Sequence, residues 1–159
     1  NGPNDLLKVV SHLANECLTL AGIDNGIQKI EKVINNGKAY EKFEKMIITQ
    51  GGDISSIKLN PSITKVIKAE KEGYLNFNNT KGLGMSIIEL GGGRKKIDDI
   101  VDSNAGFKLI KKHGSYVNKG DEIAEIFCSD NNKIEKGILM FKKSIKIINQ
   151  LPNNYKLIY

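Results

Sequence analysis

The stretch TKGLGMSIIELGGGRKK, residues 80–96, decides how the rest of the chain is organised. It predicts a short helix that begins at a capping Thr80 and is stopped by three consecutive glycines. Gly82 and Gly84 weaken such a helix by about 1 kcal/mol each relative to alanine, which indicates that they serve close packing against a neighbouring backbone. The following block, AGFKLIKKHGSYVNKGDEIAEI at residues 105–126, predicts two strands connected through a glycine turn and a lysine-glycine turn.

Upstream of this stretch, apolar residues recur every three or four positions, as on one face of a helix. Asn4 or Asp5 is placed to cap the first helix, and Gly22 to end it. A second helix is expected to stop in a left-handed residue at Asn35-Asn36-Gly37. The three predicted helices cover residues 5–21, 27–35 and 39–50.

Residues 51–62, GGDISSIKLNPS, carry turn formers without a sustained period, so the chain is predicted to have a linker at 53–62. Beyond it, apolar and polar residues alternate as in half-buried strands. A last helix, interrupted by Gly137, and a closing strand are predicted near the end of the chain. The predicted strands are 64–69, 73–78, 107–110, 116–117, 123–128 and 155–159, and the last helix is 133–148.

These elements predict an α+β fold. Residues 1–52 form an N-terminal helical segment, and residues 63–159 form a β-rich C-terminal domain of barrel-sandwich or α/β-hammerhead-like type with a C-terminal helix. The turn block around Lys119-Gly120-Asp121 also looks like a hairpin of a biotinyl or lipoyl carrier domain. No lysine in residues 64–79 has the setting of a modified carrier lysine, so the likeness favours the β fold and not a swinging-arm function.

The overall charge raises the question of an acidic partner. The 159 residues include 24 Lys and Arg against 18 Asp and Glu, a formal net charge of +6. The basic residues are scattered, tryptophan is absent and aromatic residues are few, so a solvated lysine-rich surface is favoured over a nucleic-acid face. No stretch approaches 18 uninterrupted apolar residues, and no membrane partner is expected.

The two cysteines, Cys17 and Cys128, lie far apart in apolar patterns and lack metal or redox spacing. They are predicted to be reduced core thiols of a soluble, cytoplasmic protein.

The run Gly91-Gly92-Gly93-Arg94 has two interpretations. Glycine-rich backbone followed by a cation suits phosphate, but phosphate loops lead into a helix N-terminus, whereas these glycines follow a helix. The run is therefore predicted to be a C-cap and hinge, with Arg94 paired to Asp98, Asp99 or Asp102.

The remaining polar candidates are also predicted to be structural. Asp98, Asp99 and Asp102 lack the layout of an oxygen-ligand metal loop and are expected to cap the next element. His12 and His113 have no nucleophile pattern beside them and are expected to be solvent-facing or structural. No catalytic, substrate-binding, cofactor-binding or metal residue is assigned.

Several segments in collinear order resemble the pyrimidine nucleoside phosphorylase and thymidine phosphorylase family. The family has an N-G-P-x-D-L helix start, an N-G-x-A run ending in Q-G-G, and an L-G-M segment followed by L-G-G-G-R. This chain has NGPNDL at 1–6, NNGKA at 35–39, QGG at 50–52, LGM at 83–85, LGGGR at 90–94 and LIY at 157–159.

The resemblance implies an enzyme that cleaves pyrimidine nucleosides with phosphate as co-substrate, releasing the base and a (deoxy)ribose 1-phosphate without a cofactor. It further implies a homodimer in which a helical domain and a larger α/β domain close on the substrate. Residues 1–52 would belong to the large α/β domain and residues 63–159 to the C-terminal domain. The family's phosphate loop and base-binding residues lie upstream of the N-G-P-x-D-L segment, so none is carried over.

The chain is therefore expected to be a fragment of a larger polypeptide, an expectation that its start on N-G-P without a methionine supports. Its partner would be the remainder of the phosphorylase chain, and alone it is expected to be structural and inactive. A stand-alone binding or assembly module that reuses the same fold is the alternative. The residues that choose between thymidine and uridine are absent.

Overall fold

The structure is a computed structural model that describes residues 2–56, 58–153 and 158. These residues form two compact units. The helical unit comprises the described residues up to Lys58 together with Ile158, and the C-terminal unit comprises residues 59–153. The predicted closing strand at 155–159 lies outside the described residues, apart from Ile158. The predicted linker position and domain bounds stay predictions.

The helical unit contains α1 (Asn4–Leu20), α2 (Gly26–Asn35) and α3 (Lys38–Thr49), followed by one 3-10 turn at Ile54–Ser56. The left-handed stop expected after the second helix is confirmed at Gly37, whose φ is +82°. The predicted cap of the first helix is wrong. Pro3 occupies the cap position, where a fixed φ suits a helix start, and the carboxylate of Asp5, inside the first turn, accepts a 2.9 Å bond from the amide of Leu6.

The helices pack over a small area. Gly26, at the start of α2, lies so close to α1 that an added Cβ would collide with Asn15 and meet Leu18. Within the described part of this unit, only Gly26 and Ile30 are buried. Large apolar side chains remain exposed along all three helices, among them Leu6, Val10, Leu13, Tyr40, Phe43 and Met46.

The C-terminal unit holds six strands and two helices. In chain order they are β1 (Ile63–Lys68), β2 (Gly73–Asn76), α4 (Thr80–Leu90), β3 (Gly106–Leu109), β4 (Tyr116–Val117), β5 (Glu122–Cys128), α5 (Asn131–Lys143) and β6 (Lys146–Ile148). Helices combined with small sheets confirm the α+β prediction. The barrel-sandwich or hammerhead-like arrangement stays a prediction.

The strands form two antiparallel three-stranded sheets, in the orders β1-β5-β3 and β4-β2-β6. Ile63 pairs with Cys128 at one end of β1 and Ile67 with Ala124 near the other, where a bulge follows. The predicted hairpin through the lysine-glycine turn is wrong, because β4 and β5 pair in different sheets. Asp121 closes that turn by accepting a 3.0 Å bond from the amide of Asn118.

The last helix is shorter than predicted. It ends at Lys143, and Lys146–Ile148 forms β6, in which Ile147 pairs with Leu75 of β2. Ser144 ends the helix, donating from its amide to the carbonyl of Phe141 over 2.9 Å and from its hydroxyl to that of Met140 over 2.8 Å. The β-branched residues that follow suit a strand, and β2 offers them an edge.

Helix α4 begins one residue earlier than its predicted cap implied. Asn79, not Thr80, is the cap, and its side-chain oxygen accepts a 2.8 Å bond from the amide of Gly82. The close packing predicted for Gly82 is present, since a Cβ there would collide with the hydroxyl of buried Ser144. It is absent at Gly84, which has no atom within 4 Å of an added Cβ.

Helices α4 and α5 pack together at Gly137, where an added Cβ would collide with the fully buried Leu90. This contact explains the glycine that interrupts the helical pattern. Phe141, also fully buried, meets the ring of Phe107 edge-on at 5.1 Å between centroids. The buried core of the unit is Ile67, Ala69, Leu75, Leu83, Leu90, Val117, Ile123, Ala124, Ile126, Cys128, Ile134 and Phe141.

Candidate functional site

The glycine run lies at the C-terminus of α4. Gly91 has a φ of +98°; its amide donates to the carbonyl of Ile88 over 3.0 Å, and the amide of Gly92 donates to that of Ile87 over 2.9 Å. These bonds satisfy the free carbonyls of the last turn. The predicted C-cap is thereby confirmed, and these two amides are not available to a phosphate.

The second glycine of the run has a packing reason of its own. An added Cβ at Gly92 would lie 2.7 Å from a methyl group of Ile87 and 2.9 Å from the carbonyl oxygen of Ala105. The run therefore lets the segment before β3 lie directly against the end of α4. A larger residue at this position would separate the two segments.

The pairing predicted for Arg94 is not formed. Among the described residues no ion pair joins Arg94 to Asp98, Asp99 or Asp102, and Arg94 is exposed. Asp99 instead accepts bonds from the amides of Lys96, at 3.0 Å, and Lys95, at 2.9 Å. These bonds hold the pKa of Asp99 below its usual value, and they make Asp99 the cap of the turn that precedes it, not of the next element as predicted.

Asp102 fastens three segments together. Its amide donates to the carbonyl of Gly91 over 2.8 Å, and its carboxylate accepts bonds from Asn104 and Ser129. The carboxylate distances are 2.9 Å to the amide of Asn104, and 2.7 Å and 3.1 Å to the amide and hydroxyl of Ser129. We call this arrangement the Asp102 clasp. It joins the end of α4, the approach to β3 and the junction of β5 with α5.

The charge of the clasp depends on these bonds. Burial opposes ionisation of Asp102 and is the largest single influence, but the bonds from Asn104 and Ser129 together outweigh it, so the pKa of Asp102 lies below its usual value. The carboxylate is thus ionised at neutral pH and is a structural acceptor.

A small cavity of about 250 Å³ lies beside the glycine run. Several of its charges are already compensated: Lys95 bonds Glu89 at 2.6 Å, and Lys133 lies 3.9 Å from Asp130. The arrangement offers a polar depression without a convergent set of unpaired cations. Its lining residues are Ile88, Glu89, Gly91, Gly93, Lys95, Asp99, Ile100, Lys133 and Lys136.

The two histidines lie in different units. In the C-terminal unit, Nδ1 of His113 accepts a 3.1 Å bond from the amide of Phe77, whose ring meets the imidazole at 5.9 Å between centroids. His113 therefore has a structural role, one of the two roles expected for it. In the helical unit, His12 lines a cavity of about 590 Å³ with Leu7, Ile27 and Glu31.

The two cysteines differ in burial. Cys128 is fully buried in the core, and burial raises the pKa of its thiol. Cys17 is exposed on α1, so its prediction as a core thiol is wrong. The helical pattern placed Cys17 on the apolar face of α1, where α2 packs near Leu18 but leaves Cys17 exposed.

A larger cavity, of about 430 Å³, opens in the C-terminal unit where the β1–β2 turn faces the α5–β6 turn. Sequence reasoning did not find it, because its residues come from three separate segments and only the sheet pairing unites them. We call it the isoleucine groove. It is lined by Ile67, Lys68, Glu70, Lys71, Ile123, Lys142, Ile145, Lys146, Ile147 and Ile148.

Across residues 2–56 and 58–153 no group of three or more His, Cys, Asp or Glu side chains is arranged to hold a metal ion. In the same part of the chain no helix is long and apolar enough to cross a bilayer.

Comparison with known proteins relates part of the chain to one protein family. Residues 74–148 match the family model of the pyrimidine nucleoside phosphorylase C-terminal domain. These residues, just under half of the chain, thus carry the C-terminal domain of this family.

Two curated relatives align over most of the chain. A thymidine phosphorylase of Colwellia psychrerythraea is 34% identical over 165 aligned residues, which cover 97% of this chain and 37% of the relative. A thymidine phosphorylase of Metamycoplasma hominis is 33% identical over 150 aligned residues, which cover 87% of this chain and 55% of the relative. The chain thus spans between about a third and about half the length of these relatives.

Proposed function

We propose that this chain is the C-terminal portion of a pyrimidine-nucleoside phosphorylase, a pentosyltransferase of the thymidine phosphorylase type. The whole enzyme would cleave pyrimidine nucleosides with phosphate, giving the base and a (deoxy)ribose 1-phosphate. The alignment of nearly the whole chain with just over a third of a thymidine phosphorylase carries this proposal.

The chain's own part in that enzyme is structural. The exposed apolar faces of α1 and α3 are suited to packing against further protein, since large apolar surfaces of this kind are seldom left to water. We assign them to the upstream part of the same polypeptide, which the greater length of the relatives supplies. The reacting groups would then be held by that upstream part, with this chain bracing it.

The remaining properties follow from the same assignment. The whole enzyme would be a cytoplasmic homodimer that acts on small nucleosides and phosphate, without a further cofactor and without nucleic acid or membrane partners. Phosphate enters as a substrate.

The test is a phosphorolysis assay with thymidine or uridine and phosphate, measuring release of the free base. It compares this chain, a version extended upstream to the length of the relatives, and the extended version with residues 59–159 deleted. We expect base release from the extended version only. Release by this chain alone would refute the structural role, and full activity after the deletion would show that the C-terminal unit is dispensable.

One observation favours a second function, a stand-alone binding or assembly module. The C-terminal unit has a continuous buried core and a cavity of its own. An extended version that is folded but inactive on both nucleosides would favour this alternative.

A further inference from the structure

The isoleucine groove has an apolar floor. Ile67 and Ile123 are buried at its base, 4% and 2% exposed, and Ile145, Ile147 and Ile148 are half-buried around them. Its volume of about 430 Å³ falls in the range of small-molecule sites, which are mostly apolar with a few polar groups that orient the ligand. The floor suits an aliphatic group.

The rim of the groove is strongly cationic. Lys68 and Lys71 come from the β1–β2 side and Lys142 and Lys146 from the α5–β6 side, against the single carboxylate of Glu70. Glu70 is bonded to Lys142 at 2.9 Å. Within the part of the chain that the structure describes, Lys68, Lys71 and Lys146 have no carboxylate partner. The groove thus carries three lysines that form no ion pair among the described residues, although Lys68 lies opposite Glu122 in the β1–β5 register.

We propose that the isoleucine groove binds a small organic anion with an aliphatic body, such as a medium-chain carboxylate. The aliphatic part would lie on the isoleucine floor, and the anionic group would be held by the lysine rim. A neutral apolar ligand would gain nothing from the rim, and a cation would be repelled by it. This inference is independent of the proposed phosphorylase function.

The bridge between Glu70 and Lys142 gives the proposal a distinctive consequence. Both partners are substantially exposed, with 76% and 46% of their side-chain surfaces accessible, so the bridge is weak and easily exchanged. An incoming carboxylate would compete with Glu70 for Lys142. Removing the charge of Glu70 should therefore strengthen anion binding, whereas removing a lysine charge should weaken it.

The experiment is an NMR titration of the full ¹⁵N-labelled chain with octanoate, and with octylammonium as a control of the same length and opposite charge. Octanoate should shift the amides of the groove and saturate at a concentration on the order of millimolar, as expected for about ten non-hydrogen atoms. Octylammonium should leave those amides unshifted. Residue-by-residue readout separates the groove from the exposed apolar faces of the helical unit.

Four variants complete the test. Glu70→Gln should tighten octanoate binding about two- to fivefold, and Lys71→Gln or Lys146→Gln should weaken it by about the same factor. Lys136→Gln, which removes a lysine of α5 outside the groove, should leave the affinity unchanged. All four positions are exposed, and the unperturbed spectrum away from each substitution confirms the fold.

Three outcomes would overturn the proposal. They are equal groove shifts with octanoate and octylammonium, octanoate shifts confined to the helical unit, and weaker octanoate binding by Glu70→Gln.

Discussion

Both units of this chain carry regular apolar patterns, but they differ in how far the apolar side chains are buried. In the described residues, the C-terminal unit buries twelve apolar side chains in one cluster, whereas the helical unit buries Ile30 alone among its large apolar residues. Leu13 and Phe43 stand at helical positions suited to a core, yet they are 59% and 49% exposed. Periodicity therefore predicts which face of a helix is apolar, and a partner surface decides whether that face becomes a core.

The largest contrast between the units should come from truncating one phenylalanine in each. Phe141→Ala removes a fully buried ring that packs against Phe107, and we expect a loss of about 3–5 kcal/mol in unfolding free energy. Phe43→Ala should cost less than about 1 kcal/mol, because half of that ring is already in water. Native-state hydrogen exchange of β5 and α3 amides measures each unit separately. Equal losses would mean that the helical unit has a core of its own.

The second-largest difference is expected between alanine substitutions at one glycine of α5 and one glycine of α4. Gly137→Ala places a methyl group into buried Leu90 and should destabilise the C-terminal unit by about 1–3 kcal/mol, in spite of the better helix propensity of alanine. Gly84→Ala meets open space and should be neutral or stabilise by up to about 1 kcal/mol. Thermal unfolding of both variants measures the difference. A stabilising Gly137→Ala would show that α4 and α5 can separate freely.

The Asp102 clasp predicts a pH dependence of the C-terminal unit. Because the pKa of Asp102 is lowered on folding, its contribution is present above the unfolded pKa of about 3.9 and is lost as the pH falls through the folded value. Asp102→Asn should cost about 1–2 kcal/mol at pH 7 and should flatten the loss of stability below about pH 4.

Denaturant unfolding at pH 7 and at pH 3 measures this effect, with Asp98→Asn as the matched control. Asp98 is exposed, and the described structure gives its side chain no hydrogen bond. If both variants keep the acid sensitivity of the parent chain, the clasp is not its source.

The smallest effect concerns the exposed face of α1. Leu13→Gln should change the stability of this chain by no more than about 0.5 kcal/mol, because Leu13 is mostly in water. In the upstream-extended version the same substitution should lower the melting temperature, since the face would there be covered. A calorimetric comparison of the two backgrounds measures the difference. An equal effect in both would place Leu13 outside any interface.

Sequence patterns predicted most elements, and the two failures that concern strand pairing share one cause. Residues 145–148 continue an apolar spacing that a helix could use, yet they pair with β2, because the available strand edge overrides the local pattern. The same holds for the lysine-glycine turn, which joins two sheets and not one hairpin. Pairing between distant segments was invisible in the pattern.

The polar sites show the same limit. The C-cap at Gly91 followed from local chemistry, because three glycines after an apolar helix have few other uses. The partners of Asp102 could not be predicted in this way. Ser129 lies 27 residues away in the sequence, and every backbone amide is a possible donor, so nothing in the sequence singles out Ser129. The pairing predicted for Arg94 failed for a local reason, because the backbone amides of Lys95 and Lys96 bond the carboxylate of Asp99. The isoleucine groove could not be predicted from the sequence, because its lining residues come together only in the folded chain.

The unequal burial of the two cysteines has a practical consequence. Cys17 is open to solvent, while Cys128 lies in the core with its thiol hydrogen-bonded to the carbonyl of Asp130 at 3.3 Å. Because thiolate exposure controls alkylation, a maleimide dye should label Cys17 quickly and Cys128 only as the C-terminal unit opens. The unmodified chain can thus be labelled with a fluorophore at Cys17 in its helical unit. The slower labelling rate of Cys128 reports how often the C-terminal unit opens.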